Sequence, residues 1–208
     1  MSDLEPRLQE MVERFPRLTP CCPDIAQVFG VFKKAYKDDQ TAYFCGNGGS
    51  ASDADHWTGE LLKGFESKRP IPENKRGHLK SELAQKLQCG FRAIPLTGFT
   101  SLFTAFGNDV HPDLSYAQLV WVLGRSGDLL VGLSTSGNAR NVGWAFEAAR
   151  AKGMKTILLT GQTGGKLKDH ADFCVRVPSS RTLEIQELHL PIIHTLSLWL
   201  EDEFYEKA

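Results

Sequence analysis

An α/β fold built on a five-stranded parallel sheet is what the sequence predicts. Two observations carry it. Five short apolar runs are separated by longer segments of helical periodicity, the pattern of βαβ units. The first four runs also end in glycine or serine, so their C-terminal ends open onto short, tight loops.

Taken in order, two helices are expected first, over about residues 4–15 and 24–37, with a Pro/Cys turn between them. With no strand separating them, they are expected to pack on the outside or to form a partner surface. TAYFCG (41–46) reads as the first strand and RAIPLTG (92–98) as the second. Between these, residues 66–90 read as an inserted loop holding two prolines, many charges and one short helical pattern, Ser81–Leu87. Its basic residues Lys68, Arg69, Lys75, Arg76 and Lys80 alternate with Glu66, Glu73 and Glu82, which favours a solvated loop over a nucleic-acid surface. DLLVGLS (128–134), KTILLTG (155–161) and DFCVRVP (172–178) supply the remaining strands. Val142, Ala145, Phe146 and Ala149 mark a helix stopped at Gly153. From about Leu183 to Phe204 a last helix carries a broad apolar face, and Pro191 inside it predicts a kink or a late start.

The bulk composition narrows the function classes. The 208 residues suffice for one large domain, and a formal charge of −1 gives no general attraction to nucleic acid or membrane. No run approaches the roughly 20 apolar residues of a membrane span, and the charged N-terminus lacks the apolar core of a signal peptide. Five cysteines without CxxC or zinc-finger spacing fit a reducing cytosol, so a cytoplasmic location is expected.

Two loops can hold an anion. In CGNGGSASDADH (45–56), glycines at 46, 48 and 49 let the backbone turn after the strand, and Ser50 begins a helix whose free N–H groups favour negative charge. Only the relaxed GxGxxA form of the dinucleotide fingerprint is met, and no ribose-binding acid ends the second strand, so a nucleotide cofactor is not expected. In STSGNARN (134–141), Ser134, Thr135 and Ser136 offer three adjacent hydroxyls, and Gly137 frees the backbone ahead of a helix. Helix capping alone would explain either loop. Two of them at one edge of a parallel sheet point to a phosphate crevice. TGQTGGKLKD (160–169) lacks P-loop spacing and reads as a turn.

His56 and Glu60, at i and i+4, share a face of the helix leaving the first loop; such a pair can hold a metal or act as a base and its orienting partner. The last helix adds Gln186, His189 and His194. Gln186 and His194 stand eight positions apart, about 12 Å of ideal helix, long for two side chains meeting at one atom. A distorted helix or a second subunit would close that gap. His189 reads as a half-buried or surface histidine.

CGNGGSASDADH, GND at 107–109, LSTSGN at 133–138 and EIQELHLPIIH at 184–194 together resemble the SIS family of sugar-phosphate isomerases, most closely its phosphoheptose isomerases, over nearly the whole chain. The resemblance implies a three-layer αβα sandwich as one SIS domain over 1–208, with extra N-terminal helices in residues 1–40. It implies a homotetramer with active sites between subunits, a phosphorylated sugar as partner, and no redox cofactor. The implied activity is aldose–ketose isomerisation of sedoheptulose 7-phosphate to glycero-manno-heptose 7-phosphate through an enediol. Carried over to this chain, substrate contacts fall on Asn47, Gly48, Gly49, Ser50, Glu60, Asn108, Asp109, Ser134, Thr135, Ser136 and Gln186. Glu60 and His194 match the acid/base pair, and His56, Glu60, Gln186 and His194 match ligands of a divalent metal, usually zinc. Ala139 replaces a phosphate-binding serine of many members, and Glu184 stands where arginine is common. Competing readings are a non-catalytic SIS protein that binds a sugar phosphate or the bacterial replication initiator, and an isomerase of another sugar phosphate. The first of these relatives lacks the final histidine, which is present here as His194.

Overall fold

The computed structural model of the chain describes residues 4–205. Strands β1 (Ala42–Gly46), β2 (Ala93–Pro95), β3 (Leu129–Ser134), β4 (Lys155–Thr160) and β5 (Phe173–Arg176) form one sheet in the order β2-β1-β3-β4-β5, every neighbouring pair parallel. Around it lie α1 (Pro6–Arg14), α2 (Cys22–Lys37), α3 (Gly49–Leu62), α4 (Ser81–Lys86), α5 (Thr100–Asp109), α6 (Ser115–Leu123), α7 (Arg140–Ala151) and α8 (Thr182–Phe204). The five expected strands are present and parallel, as the alternation of runs requires.

β1 and β3 are buried at every residue because helices cover both faces of the sheet. Alternation then divides the core. Phe44, Leu129, Val131, Leu133, Ile157 and Leu159 pack with α2, α3 and α8. Tyr43, Cys45, Leu130 and Leu158 pack with α6 and α7. The order of the strands reverses between β1 and β3, whose ends stand level where Gly46 pairs with Leu133. Both glycine- and serine-rich loops leave the sheet there, at the switch point where open α/β sheets place their ligands.

Several elements depart from the sequence expectation. β2 stops at Pro95, and Leu96–Gly98 turn as a 3-10 segment with Leu96 fully buried. A proline without an N–H suits this edge strand and helps end it. α2 is a core layer, not an outer helix: Ile25, Val28, Phe29 and Phe32 are buried, and Phe29 stacks on Trp199 at 3.8 Å. α8 runs unbroken from Thr182, so Pro191 delays nothing. The N–H that Pro191 lacks would have met the Glu187 carbonyl, and both residues border a cavity of about 270 Å³ against α1. Leu188, Ile192, Ile193 and Leu196 on the opposite side hold the helix to the core.

The 66–90 segment contains the expected short helix, α4, and a bridge between Pro70 and Gln88 closes its base. Arg69 contradicts the reading of a uniformly solvated loop. It is fully buried, its Nε 2.8 Å from Glu201 Oε1, with Phe91 and Tyr205 rings each 4.9 Å from the guanidinium carbon. Glu201 also accepts the backbone N–H groups of Phe65, Glu66 and Ser67 at 2.9 Å. Burial alone would raise the Glu201 carboxyl, but those three bonds and Arg69 outweigh it and hold the group below the ordinary carboxylate range. All five cysteines are free thiols, and no helix among the described residues is long and apolar enough to cross a membrane.

Candidate active site

The first loop turns on Gly48, whose φ of +56° lies in the left-handed region that favours glycine. Asn47, Gly48 and Gly49 are exposed, whereas Ser50 is buried in the first turn of α3. Gln186 of α8 lies directly on Gly49: a Cβ there would stand 2.6 Å from the Gln186 amide nitrogen. In the second loop Gly137 takes a φ of +65°, and the Ser136 hydroxyl accepts the N–H of Asn138 at 3.2 Å. Ser134 is buried, Thr135 half-buried and Ser136 exposed, so the three hydroxyls are not equally presented. The turn after β4 buttresses this loop. Leu167 and Lys166 donate their N–H groups to the Gly137 carbonyl and the Asn138 side chain, at 2.9 and 3.1 Å.

A reciprocal amide pair joins the two loops. Asn47 donates to Asn141 at 2.9 Å, and Asn141 donates back at 2.8 Å. The Asn47 side chain is therefore engaged across the crevice. Asn108 and Asp109 lie at the exposed end of α5 and bond to each other at 2.8 Å; among the described residues no hydrogen bond ties them to either loop.

Packing of α3 on α8 brings the chemical groups together within one chain. Along α3, Gly49 meets Gln186, and two turns later His56 meets His194, their ring centroids 5.2 Å apart and edge to face. The seven-residue step on α3 matches the eight-residue step on α8, so within one chain Gln186 and His194 stand beside different residues of α3 and do not converge. His56 Nε2 stands 3.2 Å from Glu60 Oε1, and Lys63 Nζ stands 3.2 Å from Glu60 Oε2. Burial lowers the His194 imidazole, the positive fields of His56 and Arg14 lower it further, and Glu60 partly offsets them. A neutral imidazole beside a carboxylate can pass protons in either direction near neutral pH.

Three residues at this site were not singled out from sequence. Asp53, on the stripe between Gly49 and His56, has one buried oxygen without a hydrogen-bond partner, and its carboxyl is raised by burial and eased back by His56. Its i,i+3 spacing to His56 was the available signal. Lys63 and Phe65 follow Glu60, and the Phe65 ring lies 5.4 Å from that of His194; the i,i+3 spacing of Lys63 to Glu60 was again the available signal, and nothing in the local pattern marks Phe65. His189, read as half-buried or surface, is instead fully buried under the sheet.

The metal expectation fits this arrangement only in its donor types. Two imidazoles and a carboxylate are zinc ligands by chemistry. As placed, His56 faces Glu60, Gln186 lies on Gly49, and no three His, Cys, Asp or Glu side chains among the described residues are arranged to hold an ion. A cleft of about 920 Å³ follows the outer side of α7 past Trp144, Arg150, Lys166 and His170, and neither Glu60 nor His194 lines it. His194, but not Glu60, lines the smaller cavity against α1, with Arg7, Arg14 and Glu187.

Comparison with known proteins gives one answer. The SIS domain model matches residues 102–198. The chain is 38% identical over 195 residues to the phosphoheptose isomerase of Akkermansia muciniphila, covering 94% of this chain and 93% of that one. Against the phosphoheptose isomerase of Rhodospirillum rubrum the identity is 40%, covering 93% of each. The solved structure of the Neisseria gonorrhoeae phosphoheptose isomerase superposes with a TM-score of 0.76 at 32% identity, over 94% of this chain and 95% of that one. The chain belongs to the phosphoheptose isomerase family of SIS proteins.

Proposed function

We propose that the chain isomerises sedoheptulose 7-phosphate to glycero-manno-heptose 7-phosphate, with the phosphate on the two loops and the C1–C2 end at Glu60 and His194. The observation that carries this is the cluster on paired helices in which His56 contacts both Glu60 and His194 and the Glu60 charge reaches the His194 imidazole, below two anion loops at the switch point of the sheet. Named isomerase relatives at about 40% identity support it, and they disfavour a binding-only protein.

Starting from the ketose, Glu60 removes a proton from C1. The electrons of that C–H bond form C1=C2, and O2 takes up negative charge. His194, neutral beforehand, relays the proton from O1 to O2, and the carbon proton returns at C2 to give the aldose. The Ser136 hydroxyl and the N–H groups of the first turn of α3 fix the phosphate, and so the register of the open chain.

Zinc held by His56, Glu60, Gln186 and His194 would polarise the carbonyl, but these side chains would first have to re-aim, and the steps above use none of it. A homotetramer in the cytoplasm completes the proposal: a second chain over the open crevice would exclude water, and free thiols suit a reducing compartment.

The test is incubation with a panel of sugar 7-, 6- and 5-phosphates in heavy water, following deuterium at C1 and C2 by NMR. Exchange on the heptulose phosphate is expected. Exchange confined to a shorter sugar would reassign the substrate, and none on any sugar would remove the isomerase reading.

A further inference from the structure

Proton abstraction moves negative charge from Glu60 to the substrate, so the site needs a cation that serves the enediolate as well as the resting carboxylate. We propose that Lys63 is that group and is a catalytic residue; this rests on the isomerase reading above.

Its Nζ lies 3.2 Å from Glu60 Oε2, on the oxygen that His56 leaves free. When Glu60 becomes neutral, Lys63 loses its ion-pair partner, and the nearest new negative charge is the enediolate oxygen. Its attraction to substrate is then stronger in the transition state than in the ground state, which is the condition for catalysis.

The plain alternative is an i,i+3 surface pair, which on a helix adds little. The Lys63 side chain is 57% exposed, but the turn that carries it is more constrained than such a pair needs. Its ammonium lies 5.9 Å above the Phe65 ring, which packs against His194, so the side chain rests on the wall of the site. The turn that carries it is fixed on both sides. The Gly64 N–H donates to Gln88 at 2.8 Å, and the next three N–H groups converge on the Glu201 carboxylate. A Cβ at Gly64 would stand 2.2 Å from the Ser67 carbonyl, so the turn is drawn tight directly after the residue. Arg14 is the other cation acting on this cluster, and it reaches His194 from the α1 side, away from Glu60. Lys63 is the cation paired with the base.

Lys63→Met and Lys63→Arg are compared with the protein as isolated, using sedoheptulose 7-phosphate. Lys63→Met is expected to lower kcat roughly 10²-fold, as loss of one oxyanion donor does, with KM within about threefold. Lys63→Arg is expected to recover at least about tenfold of that loss. Calorimetry supplies a readout independent of turnover. A 6-phosphohexonohydroxamate, whose planar hydroxamate copies the enediolate, should bind Lys63→Met at least about tenfold more weakly, while the reduced heptitol 7-phosphate binds both proteins alike. A wild type that isomerises the heptulose beside a Lys63→Met variant with kcat within threefold overturns Lys63 and leaves the isomerase standing. So does equal hydroxamate affinity. A wild type that neither isomerises nor binds the hydroxamate overturns both.

Discussion

Acid should weaken this fold in a pH range where few proteins of ordinary histidine content respond, and His189 is the reason. The side chain is fully buried on α8, and burial pushes its imidazole down from 6.5 to about 4. The Thr160 backbone is near enough to favour the cation slightly, but neither ring nitrogen makes a well-formed hydrogen bond. Between those two pH values the unfolded chain binds a proton at this position and the native chain does not. Stability therefore rises with pH across that window, is complete above 6.5, and falls as pH drops toward 4. At about 1.4 kcal/mol per pH unit, the drop from 6.5 to 5 costs roughly 2 kcal/mol, a large share of a typical 5–15 kcal/mol. Glu201, Glu184, Glu203 and Asp172 are all held below their ordinary carboxylate values, so their losses come at lower pH. His194 is lowered too and acts in the same direction. Urea unfolding at half-unit steps from pH 7 to 5 measures the slope in wild type, in His189→Met, which keeps the volume, and in His194→Asn. Loss of most of the slope in His189→Met is expected. A slope unchanged by that substitution would refute the argument.

Glu60→Gln and His194→Asn should each cut turnover by ~10²–10⁴-fold while phosphate binding persists, as read by solvent deuterium incorporation at C1 or C2; near-normal exchange in either variant removes its catalytic role. Ser136→Ala should weaken a phosphorylated sugar by roughly 0.5–1.5 kcal/mol, and calorimetry showing equal affinity for the unphosphorylated sugar would dismiss the anion loops. Arg69→Met should destabilise by about 3 kcal/mol in urea unfolding, the low end for a broken buried pair because Glu201 keeps three backbone donors. If His56 serves only as a metal ligand, His56→Ala should lose activity that added zinc partly restores; a metal-free, fully active protein would discard the zinc.

The elements with strong periodicity were legible from sequence alone. So was the edge of the sheet that binds, because glycine and serine clusters mark where strands end. His56 and Glu60 were legible through their helical spacing. What escaped was set by contacts distant in sequence. The Arg69–Glu201 pair spans 132 positions, and no local pattern separates that arginine from the solvated lysines beside it. His189 looks like any polar residue on a helix until the sheet closes over it. The eight-residue gap between Gln186 and His194 suggested a distorted helix or a second subunit. In the single chain the helix is unbroken and the two side chains stay apart, each beside a different residue of α3.

α8 also governs how the chain can change in length. Four tasks are strung along it: Gln186 at the first loop, His189 beneath β4, His194 against His56 and Glu201 at the clasp of the 66–90 segment. Each residue added to a helix turns everything beyond it by about 100° and shifts it by 1.5 Å. One inserted or deleted residue between Gln186 and His194 would thus rotate both His194 and Glu201 away from their partners in a single event. The 66–90 segment is fastened at its base, by the Pro70–Gln88 bridge and by Arg69, so residues gained or lost between those points leave both tasks of that base in place. Drift in length is therefore channelled into that segment, while α8 can vary only by substitution.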